Sequence, residues 1–183
     1  KADPTKVVFG AGGTVGSQDW MKAALTAKAA GLDPRKMRFV AFEGGGEAST
    51  ALQGGHVQVY SGDASEAEEQ IKAGAKIRVL AVMADKRLEG GLAKVPTAKE
   101  QGLDVEWPII RGYYMGPKVS DADFKVWTDT FSKMMATPEF AKARAERSLY
   151  PFAKTGADLD AYVKQRVADY RKLAAEFGLN VTK

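Results

Sequence analysis

The chain has 183 residues, 45% hydrophobic and 27% charged, with a formal net charge of +4. That length supports one good core or two small lobes. The absence of cysteine excludes disulfides, Cys-ligated metals and thiol catalysis. No apolar run approaches the ~20 residues of a membrane span, and Lys and Arg scattered without interleaved aromatics argue against a nucleic-acid partner.

The first residues, Lys1-Ala2-Asp3-Pro4, have neither the apolar core nor the cleavage pattern of a leader peptide, so an exported form is expected to have lost its leader already. Val7 to Phe9 is a short apolar run that reads as a strand. It stops at a glycine-rich loop containing Gly10, Gly12, Gly13 and Gly16. Ser17 and Asp19 then open a helix of strong formers, Met21 to Ala30. Strand, glycine loop and helix in that order suit an anion, because glycine lets the backbone approach closely and the helix N-terminus carries roughly half a positive charge. Gly10-Ala11-Gly12 followed by Gly16 is also a loose dinucleotide fingerprint, with Glu43 as a ribose-binding candidate. Val15 stands where the third glycine belongs, and Glu43 lies beyond the usual ~20 residues. A plain strand-to-helix turn is the third reading of the same residues.

Gly31-Leu32-Asp33-Pro34 ends the helix, and Met37 to Phe42 is the second expected strand, closing on Glu43 and Gly44 to Gly46. A short helix, Glu47 to Gln53, leads through Gly54-Gly55 into a third strand, His56 to Tyr60. His56 is the single histidine and has no His or Cys partner for a metal. After Ser61-Gly62-Asp63 come a helix, Ser65 to Ala73, and a fourth expected strand, Lys76 to Met83. Strands alternating with single helices predict a parallel sheet whose carboxyl ends share one edge, where open α/β folds bind ligands. Three glycine-containing loops fall on that edge.

The remainder changes character. Thr97 caps one helical turn that Gly102 ends, and Val105 to Met115 reads as an extended crossing segment or an edge strand. Ser120 caps a helix bearing Phe124, Trp127, Phe131, Met134 and Met135 at helical spacing, a stripe expected to be buried. Thr137-Pro138 starts another helix, Leu149 to Phe152 is a candidate short strand, and Thr155 caps the last helix. These helices have no evident partner, since the first four strands already have their own crossovers.

Four stretches, FGAGGTVGSQDW (9–20), VAFEGGGEASTALQGGHVQV (40–59), IKAGAKIRVLAVMADKR (71–87) and VPTAKEQG (95–102), together resemble the periplasmic solute-binding proteins of tripartite tricarboxylate transporters, the Bug-type family. The resemblance runs essentially from end to end. It implies an α/β periplasmic-binding-protein-like lobe with a parallel sheet flanked by helices, followed by C-terminal helices that normally cover the other lobe. Residues 1–106 would form the second, ligand-binding lobe, and residues 107–183 the crossing strand and helices of a first lobe. On the order of 100 residues of that first lobe would normally precede Lys1.

By the same resemblance the ligand is a small organic di- or tricarboxylate, bound without cofactor, metal or catalytic group and delivered in the periplasm to membrane permease subunits. The ligand-binding candidates carried over are Gly12, Gly13, Thr14, Gly16, Ser17, Gly44, Gly45 and Asp63. Arg111 is a candidate for a distal carboxylate, or for holding the crossing strand to Asp104 or Glu106. Where many relatives carry a histidine pair after the serine, this chain has Gln18 and Asp19, and Glu43 replaces a frequent lysine. Both acids are expected to be solvated and to serve the helix dipole, the alternative being contact with a donor on the ligand. A lone second lobe with an apolar crossing segment is a candidate for homodimerisation. The reading from another class is a nucleotide-binding, Rossmann-like enzyme domain using Gly10 to Gly16.

Overall fold

The computed structural model describes residues 3–179, which divide into two compact units between Pro108 and Ile109. In the first unit, β1 (Val8–Gly12), β2 (Arg38–Phe42) and β3 (Val59–Ser61) form a parallel sheet in the order β2-β1-β3. Gly12 pairs with Phe42 and Ala11 with Ser61, so all three carboxyl ends align. The expected parallel α/β architecture is therefore present. The strands are shifted from their expected positions. Gly10 and Gly12 lie inside β1 and His56 precedes β3. A Cβ on Gly10 would come within 3.0 Å of both the Phe42 ring and Val57, so this glycine permits close packing.

Helix α1 (Gln18–Ala29) follows β1 and packs on β1 and β3. Its buried face is Trp20, Ala23, Ala24 and Ala27, the i, i+3, i+4, i+7 pattern of an amphipathic helix. Mostly alanine, that face lets the helix lie close to the sheet. Helix α2 (Gly45–Gln53) packs on β1 through Ala48 and Ala51, and α3 (Ala64–Lys72) follows β3.

The expected fourth strand, Lys76 to Met83, does not form. A single parallel bridge joins Val82 to Thr97, through Val82 N–H to the Pro96 carbonyl at 3.1 Å and Ala98 N–H to the Val82 carbonyl at 2.9 Å. Pro96 has no N–H to give, and the partner segment turns into a 3-10 helix at Lys99–Gln101, leaving no room for a ladder. Gly102 ends that turn in the left-handed region, as expected. Val105 to Met115 forms no strand either, although Val105 and Trp107 are buried and Trp107 N–H bonds the Met83 carbonyl at 2.9 Å.

The second unit contains α4 (Asp121–Met135), α5 (Pro138–Glu146) and α6 (Gly156–Glu176). Ser120 and Thr137 cap α4 and α5 by accepting from Asp123 and Phe140 N–H at 3.1 and 3.2 Å. Thr155 takes the cap position of α6, but its hydroxyl pairs with Ser132 at 2.9 Å instead. Leu149 to Phe152 is not a strand. The stripe on α4 overturns the expectation of burial, since Phe124 is 44%, Trp127 51% and Met134 39% exposed. Tyr113, itself 81% exposed, stacks on Phe131 at 5.5 Å. Periodicity identified an apolar face that the described residues leave uncovered.

Candidate functional site

The carboxyl edge of the sheet gathers three loops. In the first, residues 13–17, Gly13 has φ +77° and donates its N–H to the Phe42 carbonyl at 2.7 Å, which pins the loop to the end of β2. Ser17 N–H returns to the Thr14 carbonyl at 3.0 Å, and Gly16, with φ +91°, completes the turn. The Ser17 hydroxyl is occupied twice, donating to the Gly12 carbonyl at 3.1 Å and accepting from Trp20 N–H at 3.3 Å as the cap of α1. Thr14, Val15 and Gly16 are exposed, and among the described residues nothing accepts from their amides. The loop thus offers backbone donors at the positive end of α1, while the serine that sequence reasoning proposed for the ligand serves the loop itself.

The second loop contains Glu43 and Gly44. Glu43 N–H bonds the Glu47 carboxylate at 3.1 Å, and the exposed Glu43 side chain fits its expected solvated role. Gly44 caps α2 without a side chain, and Gly45 is the first helical residue. The two loops touch, for a Cβ on Gly12 would lie 3.1 Å from Gly45 N and 3.2 Å from the Gly44 carbonyl carbon. In the third loop Asp63 holds the cap position of α3, yet its side chain makes no capping hydrogen bond.

Asp63 turns instead to Lys22, whose side chain is 4% exposed. The Lys22 ammonium reaches Asp19 Oδ1 at 2.7 Å, the Gly62 carbonyl at 2.9 Å and Asp63 Oδ1 at 3.3 Å. Ser61 Oγ donates to the Asp19 carbonyl at 2.8 Å. Asp19 is thus a buried, paired acid, which corrects the expectation that it is solvated. Tyr60 donates its hydroxyl to Glu66 at 3.1 Å, and burial, with the Glu66 charge beside it, pushes the phenol well above its ordinary value. A Cβ on Gly45 would collide with both of these groups, and one on Gly62 would overlap the Tyr60 ring.

Gly12, Gly13, Thr14, Gly16, Ser17, Gly44, Gly45 and Asp63 therefore lie at one edge, at or just past the ends of the three strands. Arg111 belongs to the second unit and is exposed. Sequence reasoning missed Lys22, Tyr60 and Glu66. Only Lys22 left a signal, its i, i+3 spacing from Asp19.

The sequence profile of the tripartite tricarboxylate transporter family receptor matches residues 1–179. The chain belongs to this family. No curated protein matches it. Its fold is similar to that of a TctC solute-binding protein from Polaromonas, solved with no ligand, at 24% identity and a TM-score of 0.70 over 96% of this chain and 59% of that one. It is also similar to an R. palustris protein solved with adipate, at 19% identity and a TM-score of 0.77 over 97% of this chain and 57% of that one. The chain thus spans less than two thirds of either neighbour's length. Within this TctC chain, the exposed Thr14, Val15 and Gly16 amides of the first loop are backbone donors with no acceptor among the described residues.

Proposed function

We propose that the chain is the carboxylate-capturing part of a solute receptor, acting in the periplasm and delivering a small organic di- or tricarboxylate to the permease subunits of a tripartite tricarboxylate transporter, without catalysing a reaction. The observation that carries this reading is the first loop. Its exposed Thr14, Val15 and Gly16 amides sit at the N-terminus of α1, where charge-assisted hydrogen bonds to a carboxylate need no counter-ion. Family membership and the adipate held by the R. palustris neighbour support a carboxylate as the ligand class. Gly44 supports it further, because its backbone leaves open space beside the loop. Gly12, Gly13, Ser17, Gly45 and Asp63 then shape the loops, and Thr14 and Gly16 contribute their amides.

The test is a thermal-shift panel of mono-, di- and tricarboxylates, amino acids and NAD(P), followed by calorimetric titration of the hits. Stabilisation by a carboxylate and not by a dinucleotide is expected. A shift with NAD(P) alone would overturn the receptor reading in favour of a nucleotide-binding domain.

A further inference from the structure

We propose that Lys22 is the positioning residue of the carboxylate site, holding two of its loops together while offsetting the Asp19 charge that would otherwise oppose an anion at the start of α1. The inference rests on the receptor reading above.

Lys22 is buried, and a buried ammonium persists only when its donors are satisfied. Its ammonium donates to the Gly62 carbonyl at 2.9 Å and to Asp63 Oδ1 at 3.3 Å, and it forms an ion pair with Asp19 Oδ1 at 2.7 Å. All three contacts are internal to the fold, so the role argued here is indirect. Two of the three acceptors come from the β3–α3 loop, which the Ser61 hydroxyl also ties to α1 at the Asp19 carbonyl. One side chain therefore fixes the third loop to the helix whose N-terminus carries the first.

The electrostatic part follows from Asp19. It is the second residue of α1, and its Oδ2 lies 3.2 Å from the position a Cβ on Gly12 would take. A bare carboxylate there would hold the positive end of the helix as an internal anion and repel an external one. Lys22 approaches Asp19 more closely than Asp63, so its charge chiefly offsets the acid in the first turn of α1. The helix dipole is then available to the ligand.

The test compares four proteins, the wild type, Asp19→Asn, Lys22→Met and Asp19→Asn/Lys22→Met, by calorimetric titration with a carboxylate panel that includes adipate and citrate. Circular dichroism and thermal melts follow the fold. Removing the acid alone is expected to tighten carboxylate binding several-fold while the melting temperature stays level or falls. Lys22→Met is expected to weaken binding by roughly tenfold or more, and the double variant to recover most of that loss. A residue that is merely structural would not give this order, since affinity would then follow melting temperature through the series. Equal affinities throughout, or weaker binding by Asp19→Asn, would overturn the proposal while leaving the receptor reading intact. If Lys22→Met does not fold, the Asp19→Asn arm decides alone. Failure of the wild type to bind any carboxylate would overturn the receptor reading, and this inference with it.

Discussion

A Cβ on Gly44 would meet nothing within 4 Å, and the φ of −157° there is extended backbone that any residue adopts. Its neighbour Gly45 is glycine for an internal reason, because a Cβ would run into the Glu66 carboxylate and the Tyr60 hydroxyl. The two positions separate ligand access from packing. Gly44→Ser is expected to leave stability unchanged or raise it by ~0.3 kcal/mol through a new helix cap, yet to weaken carboxylate binding. Gly45→Ala is expected to cost about 1–3 kcal/mol by overpacking. Urea melts and titration calorimetry of both variants check the pair, and a Gly44→Ser protein with wild-type affinity would remove Gly44 from the site. Tyr60 gives a second residue-scale prediction. Its phenol is raised above the ordinary value by burial and by Glu66, so its share of stability is complete below about pH 10 and is lost as pH rises beyond the unfolded value. Tyr60→Phe is expected to flatten the alkaline limb of the stability curve relative to wild type, measured as urea midpoints between neutral pH and pH ~11. The loop residues were legible in the sequence because glycine and hydroxyl types announce a turn at a helix start. The burial of Lys22 and Tyr60 was not, since it is decided by what the fold brings over a polar side chain.

Among the elements, the helices came close to their expected bounds because caps and breakers are local. Ser17, Ser120 and Thr137 each do at a helix start what their side chains predict. The Lys76 to Met83 segment failed as a strand for a non-local reason, its neighbour having Pro96 and an immediate 3-10 turn where a ladder partner was needed. That turn is itself a capping box. Thr97 N–H bonds Glu100 at 2.7 Å and Glu100 N–H bonds the Thr97 hydroxyl at 3.1 Å, with Arg87 Nε 2.9 Å from the same carboxylate. The Thr97 amide first, then Arg87, lowers the Glu100 carboxyl below its ordinary value. A lowered folded value means the contribution is present above the unfolded value of 4.5 and is lost as pH falls beneath it. Glu100→Gln is therefore expected to make the protein less stable at neutral pH and less sensitive to acid below about pH 4.5. Urea midpoints at a series of pH values measure both, and parallel acid limbs in the two proteins would rule the box out as a source of acid sensitivity.

At the scale of the whole molecule the two units differ in what they bury. The first has a sheet and helices with Ala11, Trp20, Met21, Ala24 and Ala48 in its core. In the second no residue of α4, α5 or α6 is buried, and Phe124, Val126 and Trp127 are exposed on one helix. The sequence showed that α4 has an apolar face, but a hydrophobic period reports a helix's face and not what lies over it. Apolar burial contributes about 25 cal/mol per Å², and in proteins most helical stability comes from packing of an amphipathic face. The second unit should therefore open first. The three tryptophans report this separately, because Trp20 and Trp107, 4% and 6% exposed, lie in the first unit and Trp127, 51% exposed, in the second. In urea the wild type is expected to lose helical dichroism and part of its fluorescence signal early, and the rest in a later step. In Trp127→Phe the early fluorescence phase should vanish while the early loss of helix persists. One coincident transition by both probes would instead mean that the units unfold together, and that the exposed helices draw stability from more than their own packing.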